Sequence, residues 1–334
     1  MADRTAAQPI VAVTNRLPES ALQMLRPIAA LRASDAESKL DNGDLLQLIA
    51  GADAVLTMLH DRVDAEFFEA AGPRLRCVAN VAVGYDNIDL DAAARCGVEL
   101  SNTPGVLDDA TADLALALIL AVSRRVAEGD RLVRAGTPWA WGMSFMLGHD
   151  LRGKRLGIVG MGNIGRGVAR RARAFGMEVL YNTRRPPGKG ADDEGTWLEL
   201  GQLLEQADVI SLHCPLTPQT RHLIDTPQLE RMKPSAILIN TARGAVVHEA
   251  ALAEALRAGT IAAAGLDVFE HEPRVDPALL ELDNVVLTPH LGSATVETRT
   301  AMAELAARNV VAALRGEPLL TRIAAQRPGP SASA

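Results

Sequence analysis

Short apolar runs alternate with amphipathic stretches along almost the whole chain. Residues 10–14, 54–59 and 77–81 are strand-length apolar runs, and 19–25, 45–50 and 66–71 supply helical patterns between or beside them. The turn signal Asn102-Thr103-Pro104-Gly105 closes this first series, and an apolar-rich helix is expected over 109–126. A second series runs through strands at 155–159, 178–181, 209–213, 236–240, 263–268 and 285–288. Its helical patterns lie at 198–206, 228–232 and 249–258, the last ended by Gly259. A final helix is expected over 295–314, after the last strand, and its position allows a return to the first series. Such alternation predicts an α/β protein built on parallel sheets, and 334 residues suit two domains. Residues 327–334, rich in Pro, Ser and Ala, read as a disordered tail.

One stretch of this pattern carries chemistry of its own. Gly160-Met161-Gly162-Asn163-Ile164-Gly165 follows the apolar run at 155–159, and Ile164, Val168, Ala172 and Phe175 then recur at helical spacing as a face for packing on the sheet. A strand, a glycine turn and a helix in this order make a seat for a dinucleotide pyrophosphate. Gly160 permits the tight turn, Gly162 lets backbone N–H groups approach the phosphates, and Gly165 allows close helix–strand packing. The helix N-terminus, with Asn163 and Ile164 in its first turn, adds partial positive charge. About 20 residues on, where NAD-binding proteins place an acid for the ribose hydroxyls, stand Asn182, Thr183, Arg184 and Arg185. A missing carboxylate with two guanidiniums suits a ribose 2′-phosphate, so NADP(H) is the expected cofactor, with NAD(H) possible.

Composition narrows the field. With 48% hydrophobic residues the chain can bury substantial cores, and a net charge of −7 spread along it argues against a nucleic-acid surface. Arg166, Arg170, Arg171 and Arg173 on the dinucleotide helix read as a solvated face. The three cysteines, Cys77, Cys96 and Cys214, are odd in number and lack metal-site spacing, so reduced thiols in a cytoplasmic protein are expected and no metal is called for. The most apolar run, 114–122, is too short to span a bilayer, and no secretory leader is evident.

A nicotinamide enzyme acting on a carbonyl needs a proton donor and a hold on the substrate. Arg243, after the strand at 236–240, can clamp a carboxylate with its planar fork. His290, in Thr288-Pro289-His290-Leu291-Gly292, is a natural proton donor, and a neighbouring acid would orient its ring. Glu272 is a candidate for that acid, with Glu270 and His271 as close competitors for these roles. His213 also ends a strand, but its neighbours Cys214 and Pro215 suit a strand-end turn near the cofactor. Linear spacing does not show which of these side chains meet.

Several ordered motifs together resemble the D-2-hydroxyacid dehydrogenase family, and within it the glyoxylate/hydroxypyruvate reductase branch. They are Val83-Gly84-Tyr85-Asp86-Asn87-Ile88-Asp89, the glycine fingerprint, His213-Cys214-Pro215-Leu216-Thr217, residues 240–244, Gly265-Leu266-Asp267-Val268, Pro289-His290 with Gly292-Ser293-Ala294-Thr295, and Leu314-Arg315-Gly316-Glu317-Pro318. The resemblance implies that Arg243 binds the 2-oxo acid, that Glu272, directly before proline, pairs with His290, and that amides around Val83 and Gly84 hold the substrate carboxylate. It implies cofactor contacts from Thr111, His213, Cys214, Pro215, Thr217, Thr241, Ala242, Arg243, Asp267, His290 and Gly292, besides the glycine turn and residues 182–185. Leu59 and Trp141 are secondary substrate candidates, Trp141 by reaching a partner subunit; for both, packing alone is an equal or better explanation. The implied fold is two Rossmann-like or flavodoxin-like parallel-sheet domains. A substrate domain (1–102 with 290–326) holds an inserted NADP(H)-binding domain (103–289), and a homodimer forms through the latter. The implied activity is NADPH-dependent reduction of glyoxylate to glycolate and of hydroxypyruvate to D-glycerate. Alternatives are a reductase of 2-ketogluconate or a bulky aliphatic 2-oxo acid, a phosphite dehydrogenase, which the motifs favour less, or an NADP(H)-sensing corepressor on the same fold.

Overall fold

The computed structural model describes residues 8–186 and 195–323, so the tail expected over 327–334 lies outside the described residues. The chain divides into two compact units: one runs to Leu107 and resumes at Thr295, and the other is Asp108–Ala294.

Unit 1 contains β1 (Ile10–Val13), α1 (Glu19–Leu25), β2 (Ala30–Ala33), α2 (Asn42–Ile49), β3 (Ala54–Thr57), α3 (Ala65–Ala71), β4 (Cys77–Asn80), α4 (Leu90–Cys96) and β5 (Glu99–Ser101), and it ends with α12 (Val296–Arg315). The strands pair in parallel in the order β2-β1-β3-β4-β5. The central strands β3 and β4 are buried at every position, as a parallel sheet covered on both faces requires. Helix starts are set by side-chain caps: Asp41, Asp64, Asp89 and Thr295 accept from Asp44, Phe67, Ala92 and Thr298 N–H groups. Helix α12 packs on α1, β3 and β4. Its buried Asn309 donates to the Thr321 hydroxyl at 2.9 Å and accepts from Thr321 N at 3.1 Å, which docks the C-terminal segment beside β5.

Unit 2 contains α5 (Asp108–Ser123), α6 (Val126–Arg134), β6 (Arg155–Val159), α7 (Asn163–Ala174), β7 (Glu178–Asn182), β8 (Thr196–Trp197), α8 (Leu200–Gln206), β9 (Val209–Leu212), α9 (Thr226–Leu229), β10 (Ile237–Asn240), α10 (Glu249–Ala258), β11 (Ala263–Leu266), α11 (Pro277–Leu280) and β12 (Val285–Leu287). Its parallel sheet has the order β12-β11-β10-β9-β6-β7-β8. The order reverses beside β6, and ligands of such sheets bind outside the carboxyl ends of the strands at that reversal. Two cores cover the two faces, one around Leu203, Leu238 and Leu252, the other around Ile119, Ile158, Val168 and Ile239.

The structure differs from the sequence reading at identifiable places. The units divide at 107/108 and 294/295, later than the expected 102/103 and 289/290. Thr103 N donates to the Ala82 carbonyl at 2.9 Å, which keeps 103–107 with unit 1. Leu291 N and Gly292 N donate to the Asp267 carboxylate at 2.7 and 2.8 Å, which keeps 290–294 with unit 2. Phe175, expected on the packed face of α7, caps that helix and is 43% exposed. The basic face of α7 is not wholly solvated: Arg171 pairs with Asp113 at 2.5 Å and Asp109 at 3.1 Å, and Arg170 also reaches Asp109, which ties α7 to α5.

Candidate active site

The turn after β6 is shaped by a lack of room. Gly160 has φ 101°, and a Cβ there would lie 2.7 Å from the backbone of His213 and Cys214. A Cβ on Gly165 would lie 2.3 Å from the Gly160 carbonyl oxygen. Gly162, by contrast, faces open space: a Cβ there would meet nothing within 4 Å. Gly162 is also the N-cap of α7, with no side-chain cap and no acid in the first turn, so the orphan N–H groups of that turn remain available for an anion. Two polar atoms nearby in the sheet order, His213 Nδ1 beyond β9 and Thr241 Oγ1 beyond β10, are buried without a hydrogen-bond partner among the described residues. An open cradle with orphaned polar atoms around it fits a dinucleotide.

At the end of β7, the Asn182 amide donates to the Leu198 carbonyl at 2.8 Å, and the Thr183 hydroxyl donates to the Arg185 carbonyl at 2.7 Å. Arg184 and Arg185 are exposed. Of the four residues expected to meet a 2′-phosphate, Arg184 and Arg185 are the two whose side chains make no hydrogen bond or ion pair among the described residues. Beyond β9, the His213 ring shares a hydrogen bond with the Ser211 hydroxyl at 2.8 Å, and burial pushes its pKa down to about 4. A ring neutral at pH 7 is a poor proton donor, so His213 is better suited to lining a site. Burial likewise pushes the Cys214 thiol up to about 11. Thr217 closes a turn with Thr220, its N–H donating to the Thr220 hydroxyl at 2.8 Å.

Arg243 sits just beyond β10 in a turn held by Asn240. The buried Asn240 side chain donates to the Arg243 carbonyl at 2.9 Å and accepts from Ala242 N at 3.0 Å. Gly244 follows because a Cβ there would lie 1.8 Å from the Phe269 carbonyl carbon. The Arg243 Nη1 donates to the Ala242 carbonyl at 2.8 Å, which sets the direction of the guanidinium.

His290 and Glu272 meet: Nδ1 of the ring is 2.9 Å from Oε2 of the carboxylate. The other oxygen, Oε1, accepts from Phe269 N at 3.0 Å, so the acid is fixed at both ends. Burial acts to raise the Glu272 pKa, but the His290 hydrogen bond and charge, the Phe269 N–H and the Arg243 charge together hold it below the usual carboxylate range. His290 adopts φ 56°, the left-handed region, and a clamp holds it there. The buried Asp267 carboxylate accepts from the Thr288 hydroxyl at 2.6 Å, from Leu291 N at 2.7 Å and from Gly292 N at 2.8 Å. Burial raises the Asp267 pKa against these three donors. Thr111 on α5 closes the clamp by donating its hydroxyl to the Gly292 carbonyl at 3.1 Å. Thr111 and Asp267, both expected to touch a cofactor, are thus engaged in holding the His290 loop.

Glu270 goes elsewhere. Its Oε1 lies 2.6 Å from Nε2 of His222, and burial, which would raise its pKa, is outweighed chiefly by that histidine.

In unit 1, the Val83–Gly84 loop is braced by asparagines. Asn80 donates to the Gly84 carbonyl at 3.0 Å, and Asn102 donates to the Val83 carbonyl at 2.8 Å. Both carbonyls are thereby engaged, while neither residue's N–H has a protein acceptor among the described residues. Leu59 is 37% exposed and Trp141, in unit 2, is 78% exposed. The braces Asn80, Asn102 and Asn240 were not singled out from the sequence. Their signal is an asparagine closing an apolar strand or its turn, as in Cys-Val-Ala-Asn and Ile-Leu-Ile-Asn.

Comparison with known proteins fits this geometry. The model of the D-isomer specific 2-hydroxyacid dehydrogenase, NAD binding domain, matches residues 116–292. The chain belongs to the D-isomer specific 2-hydroxyacid dehydrogenase family. This dehydrogenase is 48% identical over 316 residues to a glyoxylate reductase of Thermococcus onnurineus, covering 93% of this chain and 94% of the relative. A crystal structure of a glyoxylate reductase from Paecilomyes thermophila is 35% identical with a TM-score of 0.85, covering 95% of this chain and 98% of that one. An NADPH-dependent glyoxylate/hydroxypyruvate reductase from Sinorhizobium meliloti, in complex with NADP and malonate, is 33% identical with a TM-score of 0.83, covering 97% and 100%. The dehydrogenase therefore has two Rossmann-like parallel-sheet units and an NAD-binding domain within unit 2. Among the described residues no helix is long and apolar enough to cross a membrane.

Proposed function

We propose that this dehydrogenase reduces small 2-oxo acids, glyoxylate to glycolate and hydroxypyruvate to D-glycerate, with NADPH preferred over NADH. The observation that carries the reading is the 2.9 Å pair between His290 Nδ1 and Glu272 Oε2, in the same unit as the dinucleotide turn. The names of the similar glyoxylate reductases support the substrate class.

A bound nicotinamide would supply the hydride for the 2-carbonyl carbon. With Nδ1–H donated to Glu272, His290 carries the transferable proton on Nε2 and gives it to the carbonyl oxygen as negative charge develops there. Glu272, fixed through Phe269 N, keeps the ring oriented. Arg243 binds the substrate carboxylate through its fork. In unit 1, the available amides of Val83 and Gly84 suit a carboxylate as well, and Leu59 is proposed to line the substrate side. The N–H groups at Gly162, Asn163 and Ile164 would hold the pyrophosphate, with Arg184 and Arg185 on a ribose 2′-phosphate. The units serve as the substrate and cofactor domains, respectively.

The same reading includes a homodimer in the cytoplasm. Val126, Val133, Trp139, Trp141, Met143 and Leu147 of unit 2 are all more than half exposed, an apolar set that suits a second copy and would let Trp141 approach the partner.

A panel of 2-oxo acids followed by cofactor absorbance, with NADPH and NADH in parallel, tests the proposal. Turnover of glyoxylate and hydroxypyruvate is expected, and turnover of none of the panel would sink it. Replacing Arg184 and Arg185 by Ser should lower kcat/KM for NADPH by about 10- to 100-fold, the value of one or two charge-assisted hydrogen bonds, and leave NADH nearly unchanged. A wild-type preference for NADH would show that the turn after β7 has been misread.

A further inference from the structure

The geometry points to a second site in unit 2, apart from the His290–Glu272 pair: His222, His248 and Asp225 form a seat for one divalent transition-metal cation of the zinc type.

Two chain segments are zipped together here. His222 N donates to the Ala245 carbonyl at 2.8 Å, Ile224 N to Val246 at 3.1 Å and His248 N to Ile224 at 3.0 Å, and Ile224 and Val247 form an isolated parallel bridge. This zipper sets the two imidazoles face to face, ring centroids 4.6 Å apart and 15° from parallel. Asp225, at the N-cap of α9, stands beside them. One donor atom from each of the three residues lies within 4.8 Å of the other two. Ligands around a tetrahedral zinc ion are about 3.4 Å apart, so side-chain shifts of about 1 Å would close the site.

Each ring already has one nitrogen held by a carboxylate. His222 Nε2 lies 2.6 Å from Glu270 Oε1, and His248 Nδ1 lies 2.8 Å from Asp225 Oδ1. Glu270, in that position, orients the His222 imidazole and leaves its Nδ1 to face an ion. His248 Nδ1 and Asp225 Oδ1, which now share a proton at 2.8 Å, would give it up and face the ion together. Two imidazoles and a carboxylate select zinc and its transition-metal neighbours over magnesium or calcium, which take oxygen ligands. All three residues are half-buried, so an ion has a path in and a water can complete the shell. The spacing of 222, 225 and 248 has no metal-motif form in sequence, and only the zipper brings these side chains together.

The test is a zinc titration of the full chain, stripped of metal beforehand, in competition with a chromophoric chelator. One zinc ion per chain is expected for the wild type and equally for His290→Ala and Cys96→Ser. Binding should disappear in His222→Ala and His248→Ala, and Glu270→Gln should weaken it by about 10- to 100-fold. Absence of zinc binding in the wild type, undiminished binding in both histidine variants, or loss on His290→Ala would each overturn the assignment. His248 makes no side-chain cap to α10, so its removal should leave the fold intact. As a second readout, zinc should raise the Tm of the wild type and not that of His248→Gln; equal rises in both would also overturn it.

Discussion

Two histidine–carboxylate pairs meet the same loop, through acids two residues apart. Glu272 takes His290 through Nδ1 at 2.9 Å, and Glu270 takes His222 through Nε2 at 2.6 Å. Both histidines have positive φ, 56° and 51°. The difference lies in what stands behind each pair. The His290 loop is clamped by three donors to Asp267 and by Thr111, and Glu272 is fixed by Phe269 N. His222 stacks instead on a second imidazole, while Glu270 has Arg221 at 3.7 Å and donates its backbone N–H to the Glu249 carboxylate. A histidine beside an acid is thus not by itself an active site; the bracing and the surroundings distinguish a proton donor from a candidate ligand.

The largest test of this distinction is His290→Ala, which should lower glyoxylate turnover by about 10²- to 10⁴-fold while cofactor fluorescence still reports NADPH binding. Near-normal turnover would remove the proposed proton donor. Glu272→Gln keeps the shape but removes the charge, and its loss should be smaller, about 10- to 100-fold in kcat; a loss matching His290→Ala would mean that the acid does more than orient the ring. Asp267→Asn replaces an acceptor with a donor opposite the backbone N–H groups of Leu291 or Gly292. It should cost about 1–3 kcal/mol in denaturant unfolding and lower kcat with the loop, and unchanged stability would show that the clamp is dispensable. On the outer pair, His222→Gln should change turnover by no more than about twofold, the scale of a substitution away from the site.

Acid provides a comparison of both pairs at once. The Glu270 and Glu272 carboxyls are each held below their ordinary value of 4.5. A carboxyl with a lowered folded pKa contributes stability that is present above about 4.5 and lost as pH falls through the lower folded value. The double variant Glu270→Gln, Glu272→Gln should therefore show a flatter decline of stability in that acid range than the wild type. An identical decline would mean that neither pair holds in solution.

Much of this was legible in the chain. The central strands declared themselves because a strand buried on both faces is a continuous apolar run, and the dinucleotide turn because its glycines have no substitute where backbones touch. Strands β2, β5 and β8 were not read. They are edge strands of four, three and two residues, too short to print a pattern, and β2 and β8 have no buried position. Helix α4 and the polar α6 were missed as well. The α7 arginines that cross to α5 also escaped, because a charge has the same letter whether it meets water or an acid on a neighbouring helix.

The sequence by itself determined the parallel α/β architecture, the dinucleotide seat and the residue types for chemistry, since periodicity and steric exclusion act locally along the chain. Beyond the Glu272–His290 pairing that the family resemblance implied, only the tertiary structure decided that Glu270 meets His222, which asparagines and which aspartate hold the site loops, and where 103–107 and 290–294 belong. Those outcomes depend on hydrogen bonds between residues as far apart as Thr111 and Gly292, whose partners are set by the packing of whole elements rather than by any spacing in the chain.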